Sequence, residues 1–156
     1  MQAYDDAFAA SFSRIMGRGA YNPEFIARFY DLFLASSPEV AARFSDTNMS
    51  RQKTMLHDSF TTLIDFNQHR RVTTQMRHLG QVHGPGRSDV KPSLYALWLD
   101  SLMSTVSEFD PAFDSEVELA WRLTLAPGIA YLQHAHRHPS AVGTVETSWP
   151  AGDPRR

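Results

Sequence analysis

Apolar residues recur along this chain at spacings of three and four, the period of one face of an α-helix. Phe8, Phe12 and Ile15 form the first such row, within a run from about Tyr4 to Met16 that Gly17 and Gly19 end. Asn22-Pro23-Glu24 then supplies a capping side chain, a proline suited to a first turn and an acid near the positive helix end. Phe25, Phe29, Tyr30, Phe33 and Leu34 follow as a broad aromatic face. Ser36-Ser37-Pro38-Glu39 repeats the start signal and predicts a short helix ending near Phe44.

Asp46-Thr47-Asn48 offers a cap for a long helix from about Met49 to Phe66. Met49, Gln52, Leu56, Phe60 and Leu63 share one face of it, with a single polar residue among apolar ones. Asn67 to Arg71 reads as a polar break. A helix near Thr73 to Val82 carries Met76 and Leu79 inward and ends at His83, where Gly84-Pro85-Gly86 cannot continue it. After a loop from Gly84 to Val90, Lys91-Pro92 opens a long helix with Leu94, Trp98, Leu99, Leu102 and Val106, stopped by Asp110-Pro111. Asp114 or Ser115 caps the last helix, which carries Val117, Trp121, Leu125, Ile129 and Leu132. Pro127-Gly128 falls inside that pattern and predicts a kink or a loosening. No segment alternates as a strand does, and there is no internal repeat, phosphate-cradling glycine loop or Ser-His-Asp arrangement. The pattern predicts an all-α protein: one domain over 1–138, then a Pro-, Gly-, Ser- and Thr-rich flexible tail over 139–156.

Composition narrows the function classes. A length of 156 residues suits one domain with a sizeable core. A net charge of −2 argues against a nucleic-acid footprint or a basic membrane patch. The absence of cysteine excludes disulfides, iron–sulfur clusters and thiolate catalysis. The N-terminal residues lack a signal-peptide pattern, and no apolar run approaches the roughly 20 residues of a membrane span, so a cytoplasmic protein is expected. Seven histidines, ten Phe, three Trp and five Tyr are many for this size, and their positions decide what they mean.

His83 ends its helix beside a backbone stop. Taken alone it is a histidine favoured by the negative helix end, just as Tyr30 and Phe44 are core aromatics, Gln52 a hydrogen-bonded residue of a helix start and Leu56 core. Their order carries more. An aromatic helix bearing Tyr30 meets a short helix that ends at Phe44; Gln52 follows eight residues on, Leu56 one turn later and His83 well downstream. This order resembles the globin family, and within it the bacterial single-domain globins, because Gln stands at the distal position. The resemblance runs from about residue 4 to 137 and is carried by FYDLFLASSPEVAARF at 29–44, MSRQKTML at 49–56 and HLGQVHGPG…VKPSLYALWLDSL at 78–102.

The resemblance implies a globin fold of seven to eight helices packed around a haem pocket, with haem b as cofactor. His83 would be the proximal iron ligand, Phe44 would stack on the haem, Gln52 and Tyr30 would be the distal polar groups and Leu56 their apolar neighbour. Leu79, Val90 and Tyr95 complete the expected cofactor-binding set. A neutral imidazole is a good iron ligand whose second N–H needs an acceptor, for which a backbone carbonyl one turn earlier is suited. Donors from Tyr30 and Gln52 would stabilise a bound oxygen ligand by roughly 1–3 kcal/mol each in a dry pocket. Tyr95 matches the tyrosine that supports the proximal histidine in flavohaemoglobin-like globins. Their companion glutamate is absent from Gln133 to Arg137, which argues against peroxidase-like chemistry.

Other candidates weigh less. His57 lies about 140° round the helix from Gln52 and points elsewhere, and Met55 is nearer that face but a poor ligand. His134, His136 and His138 read as a solvated run at a fraying helix end. Arg87 and Lys53 are candidate partners for haem propionates. The expected function is reversible binding of oxygen, carbon monoxide or nitric oxide, with no catalytic residue assigned. The rivals are a nitric oxide dioxygenase served by a separate reductase, a gas sensor acting through a partner, and a haem-free interaction module.

Overall fold

Side-chain caps set the helix starts. Asn22 accepts the amides of Glu24 and Phe25, Ser37 that of Glu39, Asn48 that of Arg51, Thr73 that of Met76 and Asp114 that of Val117. Seven helices result in the computed structural model, which describes residues 2–85 and 88–139; the expected tail over 140–156 and Arg87 lie outside the described residues. They are α1 (Gln2–Met16), α2 (Pro23–Ala35), α3 (Pro38–Arg43), α4 (Met49–His69), α5 (Thr74–Val82), α6 (Leu94–Phe109) and α7 (Ser115–Arg137). There is no strand among the described residues, and no helix is long and apolar enough to cross a membrane. α1, α4 and α5 pack on α7, and α2 packs on α6 and α3. Phe25, Phe29, Phe60, Leu102, Trp121 and Leu125 are fully buried between them.

Three local expectations change. Helix α4 runs three residues past Phe66, because polarity there marks a solvated face and not an end. His69 pairs with Asp65 at 2.9 Å one turn back, and Arg70, in the left-handed region at φ 49°, returns its N–H to the Phe66 carbonyl at 2.8 Å. Lys91-Pro92 forms a turn before α6 and not its first residues, since Ser93 makes no side-chain cap. Instead, Gln133 of α7 donates to the Pro92 carbonyl at 3.3 Å. The end of α7 does not fray, as His136 pairs with Asp89 at 2.8 Å and the His134 and His138 rings lie 4.6 Å apart. The expected site of a kink, Pro127, lies inside the continuous helix α7.

The Pro-Gly pair has a tertiary reason. A Cβ on Gly128 would stand 2.4 Å from Leu63 Cδ2, so α7 and α4 cross closely there. Gly128→Ala is expected to destabilise the protein by about 1–2 kcal/mol, as displacement of the buried Leu63 outweighs the ~1 kcal/mol gained in helix propensity. Urea unfolding measures this; an unchanged midpoint would mean that Leu63 swings aside freely.

A polar knot inside the core joins α1 to the turn after α6 and to α7. Ser11 donates to Asp110 Oδ2 at 2.6 Å and accepts from Trp121 Nε1 at 2.9 Å. Arg14 forks onto both carboxylate oxygens at 2.7 and 2.9 Å, and the Ala112 amide donates to Oδ1 at 2.9 Å. The Asp110 side chain is wholly buried, and the Arg14 guanidinium beside it holds its carboxyl down to about 2.

Candidate functional site

The helix crossings leave one deep, mostly apolar cavity of about 380 Å³, a volume within the range of small-molecule sites. Each helix that borders it contributes residues at helical spacing. From α2 come Tyr30 and Phe33; from α3 and its cap, Arg43 and Phe44; from α4, Gln52, Met55, Leu56, Ser59 and Leu63. Leu79, Val82 and His83 close it from α5 and its cap, with Val90 beyond. Leu94, Tyr95 and Trp98 of α6 and Ile129 and Leu132 of α7 form the remaining wall. All eight residues expected to bind a cofactor therefore border one space.

Tyr30 and Gln52 meet within it. The Gln52 amide donates to the Tyr30 hydroxyl at 3.2 Å, and that hydroxyl donates to the Gln52 main-chain oxygen at 3.4 Å. Burial pushes the Tyr30 phenol up to about 12, and the Gln52 bond opposes that rise, so the hydroxyl stays protonated and able to donate. Phe44, just past α3, sits edge-on to Tyr30 and Phe33 with centroids 6.0 and 5.9 Å apart.

His83 is the C-cap of α5. Its N–H returns to the Leu79 carbonyl at 3.1 Å, and its own carbonyl accepts from Val90 at 2.9 Å. Burial pushes the imidazole down to about 4, aided by the charge of Arg43 and opposed by the Leu79 carbonyl. The ring is therefore neutral at physiological pH, the form that ligates metals. Its Nδ1 is buried and makes no full hydrogen bond, and the Leu79 carbonyl one turn back, the expected acceptor, lies close enough to favour an N–H there. The Tyr95 hydroxyl, also on the cavity, is likewise buried and unpartnered, and burial raises its pKa.

Of the two candidate propionate partners, Lys53 does not border the cavity and Arg87 lies outside the described residues; Arg43 borders it and donates to the Ser88 carbonyl. His57 also lies off the cavity, its ring 4.8 Å from that of Tyr21. Trp98 was legible only as core, although it follows Leu94 by one turn on the same face as Tyr95. Ile129 and Leu132 carried no signal beyond their apolar period. No group of three or more His, Cys, Asp or Glu able to hold a metal exists among the described residues.

Among the described residues, an all-helical fold encloses a mostly apolar cavity with the His83 imidazole and a Tyr–Gln pair on its wall. No family model and no curated protein matches the chain. A solved structure does: a Pseudomonas aeruginosa PAO1 protein described as structurally highly homologous to human haemoglobin. It is 34% identical, covers 85% of this chain and 98% of its own, and superposes with a TM-score of 0.76. The chain belongs to the globin family.

Proposed function

We propose that the protein is a haem-binding globin that reversibly takes up a diatomic gas, oxygen first, in the cavity bordered by His83, Gln52 and Tyr30. The observation that carries this is that the buried His83 imidazole and the Tyr30–Gln52 pair border one mostly apolar cavity. The residues fit the group. His83 would hold the iron, while Phe44, Leu56, Leu79 and Val90 would contact the macrocycle. With no cysteine in the chain to form a thioether, the pigment would be haem b held without covalent attachment.

When bound, haem supplies an iron with an exchangeable position for the gas. The chain does the rest. The apolar wall excludes water, which strengthens every hydrogen bond within. Gln52 and the protonated Tyr30 orient each other, and the second N–H of the Gln52 amide would be the donor left for negative charge that develops on a ligand. The globin domain spans residues 1–138 in this reading, and the protein works in the cytoplasm.

The test is the visible spectrum of the purified protein with haemin, then reduced, then exposed to carbon monoxide. A sharp Soret band that shifts at both steps is expected; a spectrum equal to free haemin overturns the reading. Gln52→Ala should keep haem and raise the oxygen dissociation rate about tenfold, from the loss of one donor in a dry site. Flash photolysis measures it, and an unchanged rate would remove Gln52 from the distal role.

A further inference from the structure

Beyond the cavity wall, α7 reaches the segment that follows His83. The amides of Ser88, Asp89 and Val90 donate in succession to the carbonyls of Val82, Gly84 and His83, at 3.0, 2.9 and 2.9 Å. These three residues are therefore laid back on the end of α5 and tied directly to the main chain of His83. Two side chains from elsewhere hold them down. Arg43, at the end of α3, donates to the Ser88 carbonyl. His136, in the last turn of α7, meets Asp89 Oδ1 through Nε2 at 2.8 Å.

The second contact spans 47 residues of sequence. The His136 side chain is only 17% exposed, so the pair is half sheltered and is screened less than a surface ion pair. Asp89 occupies the left-handed region at φ 48°, where Asp costs less than most residues but still more than Gly. Strain of that kind persists where surrounding contacts over-determine it, and here those contacts are the three amide bonds and the imidazole.

We propose that the Asp89–His136 pair is a positioning contact for His83: α7 pins residues 88–90, and these pin the main chain of the ligand residue. Neither side chain borders the cavity, so the pair acts only through the backbone it holds. The inference rests on the haem reading for its consequence, but its mechanical part belongs to the protein without cofactor.

The test uses Asp89→Asn, His136→Gln and the double variant. Asn tolerates the left-handed region, so the first change removes the charge and leaves the turn favourable. In the apoprotein, hydrogen exchange at the amides of Ser88, Asp89 and Val90 should quicken about fivefold in each single variant, while exchange in α2 and α6 and the urea midpoint stay unchanged. In the haemin-loaded protein, transfer to an apoglobin acceptor should quicken by a similar factor, and the double variant should be no faster than the singles. Wild-type protein that binds no haemin defeats the haem reading, with the exchange result still legible. Wild-type protein that binds haemin, with variants that release it no faster or with singles whose effects simply add, overturns the positioning contact.

Discussion

His83→Ala is expected to weaken haem binding at least about 100-fold, more than the 10–100-fold that an outer partner of a metal ligand is worth. The ring is buried and neutral, with its pKa near 4, so at pH 7 no proton has to leave before it ligates. Removing it leaves Phe44, Leu56, Leu79 and Val90 to contact the macrocycle, so weak hydrophobic uptake persists. The fold should survive, because the two bonds that anchor residue 83, to Leu79 and from Val90, are made by its main chain. The side chain makes no full hydrogen bond whose loss would strand a buried partner. Haemin titration followed at the Soret band, beside urea unfolding of the apoprotein, separates the two effects. Exogenous imidazole should restore part of the affinity. Equal haem retention by variant and wild type would sink the proximal assignment.

Asp110→Ala is expected to cost about 3 kcal/mol of stability. The change strips the acceptor from the buried Ser11 hydroxyl, from one N–H of the turn at Ala112 and from both forks of Arg14. Arg14 is one-third exposed and can turn to water, which keeps the loss below that of a fully stranded buried charge. Ser11 cannot escape, since Trp121 Nε1 donates to it in the core. The carboxyl is depressed from 3.8 to about 2 in the folded state. A depressed acid contributes stability above its unfolded value and loses it as pH falls through the folded one. The difference between wild type and Asp110→Asn should therefore be full above about pH 4 and shrink between pH 4 and 2. Denaturation curves across that range measure it; a difference that does not change with pH would mean that the ion pair is not what the variant removes.

These two residues differ in how far the sequence announced them. His83 stood at a helix end before Gly84-Pro85-Gly86, in order with Phe44, Gln52 and Leu56, so its place was legible before any coordinates. Asp110 looked like a helix stop followed by proline, and it is one; nothing local says that Ser11 and Arg14, some hundred residues earlier, converge on it. Arg43 and Lys53 make the same point for the cavity. Both are basic residues near its expected mouth, and only the packing of α3 against α2 decides that Arg43 borders it and Lys53 does not.

Helix by helix, the chain's own pattern determined what the short range controls. The caps at Asn22, Ser37, Asn48, Thr73 and Asp114 satisfy amides two or three residues away, and apolar period selects the inward face. The Tyr30, Phe44, Gln52, Leu56 and His83 order belongs to this level too, because each sits on a helix or cap whose phase is locally set. What tertiary structure alone decided depends on which helices cross. The Pro127-Gly128 pair gains its reason from Leu63 on another helix, and His83 gains its neutrality from burial in the packed domain. The contact of His136 with Asp89 needs the end of α7 to arrive beside a turn 47 residues earlier. Hydrogen bonds between neighbours in sequence are set by local geometry; burial, close approach and long-range pairing exist only once the helices have packed.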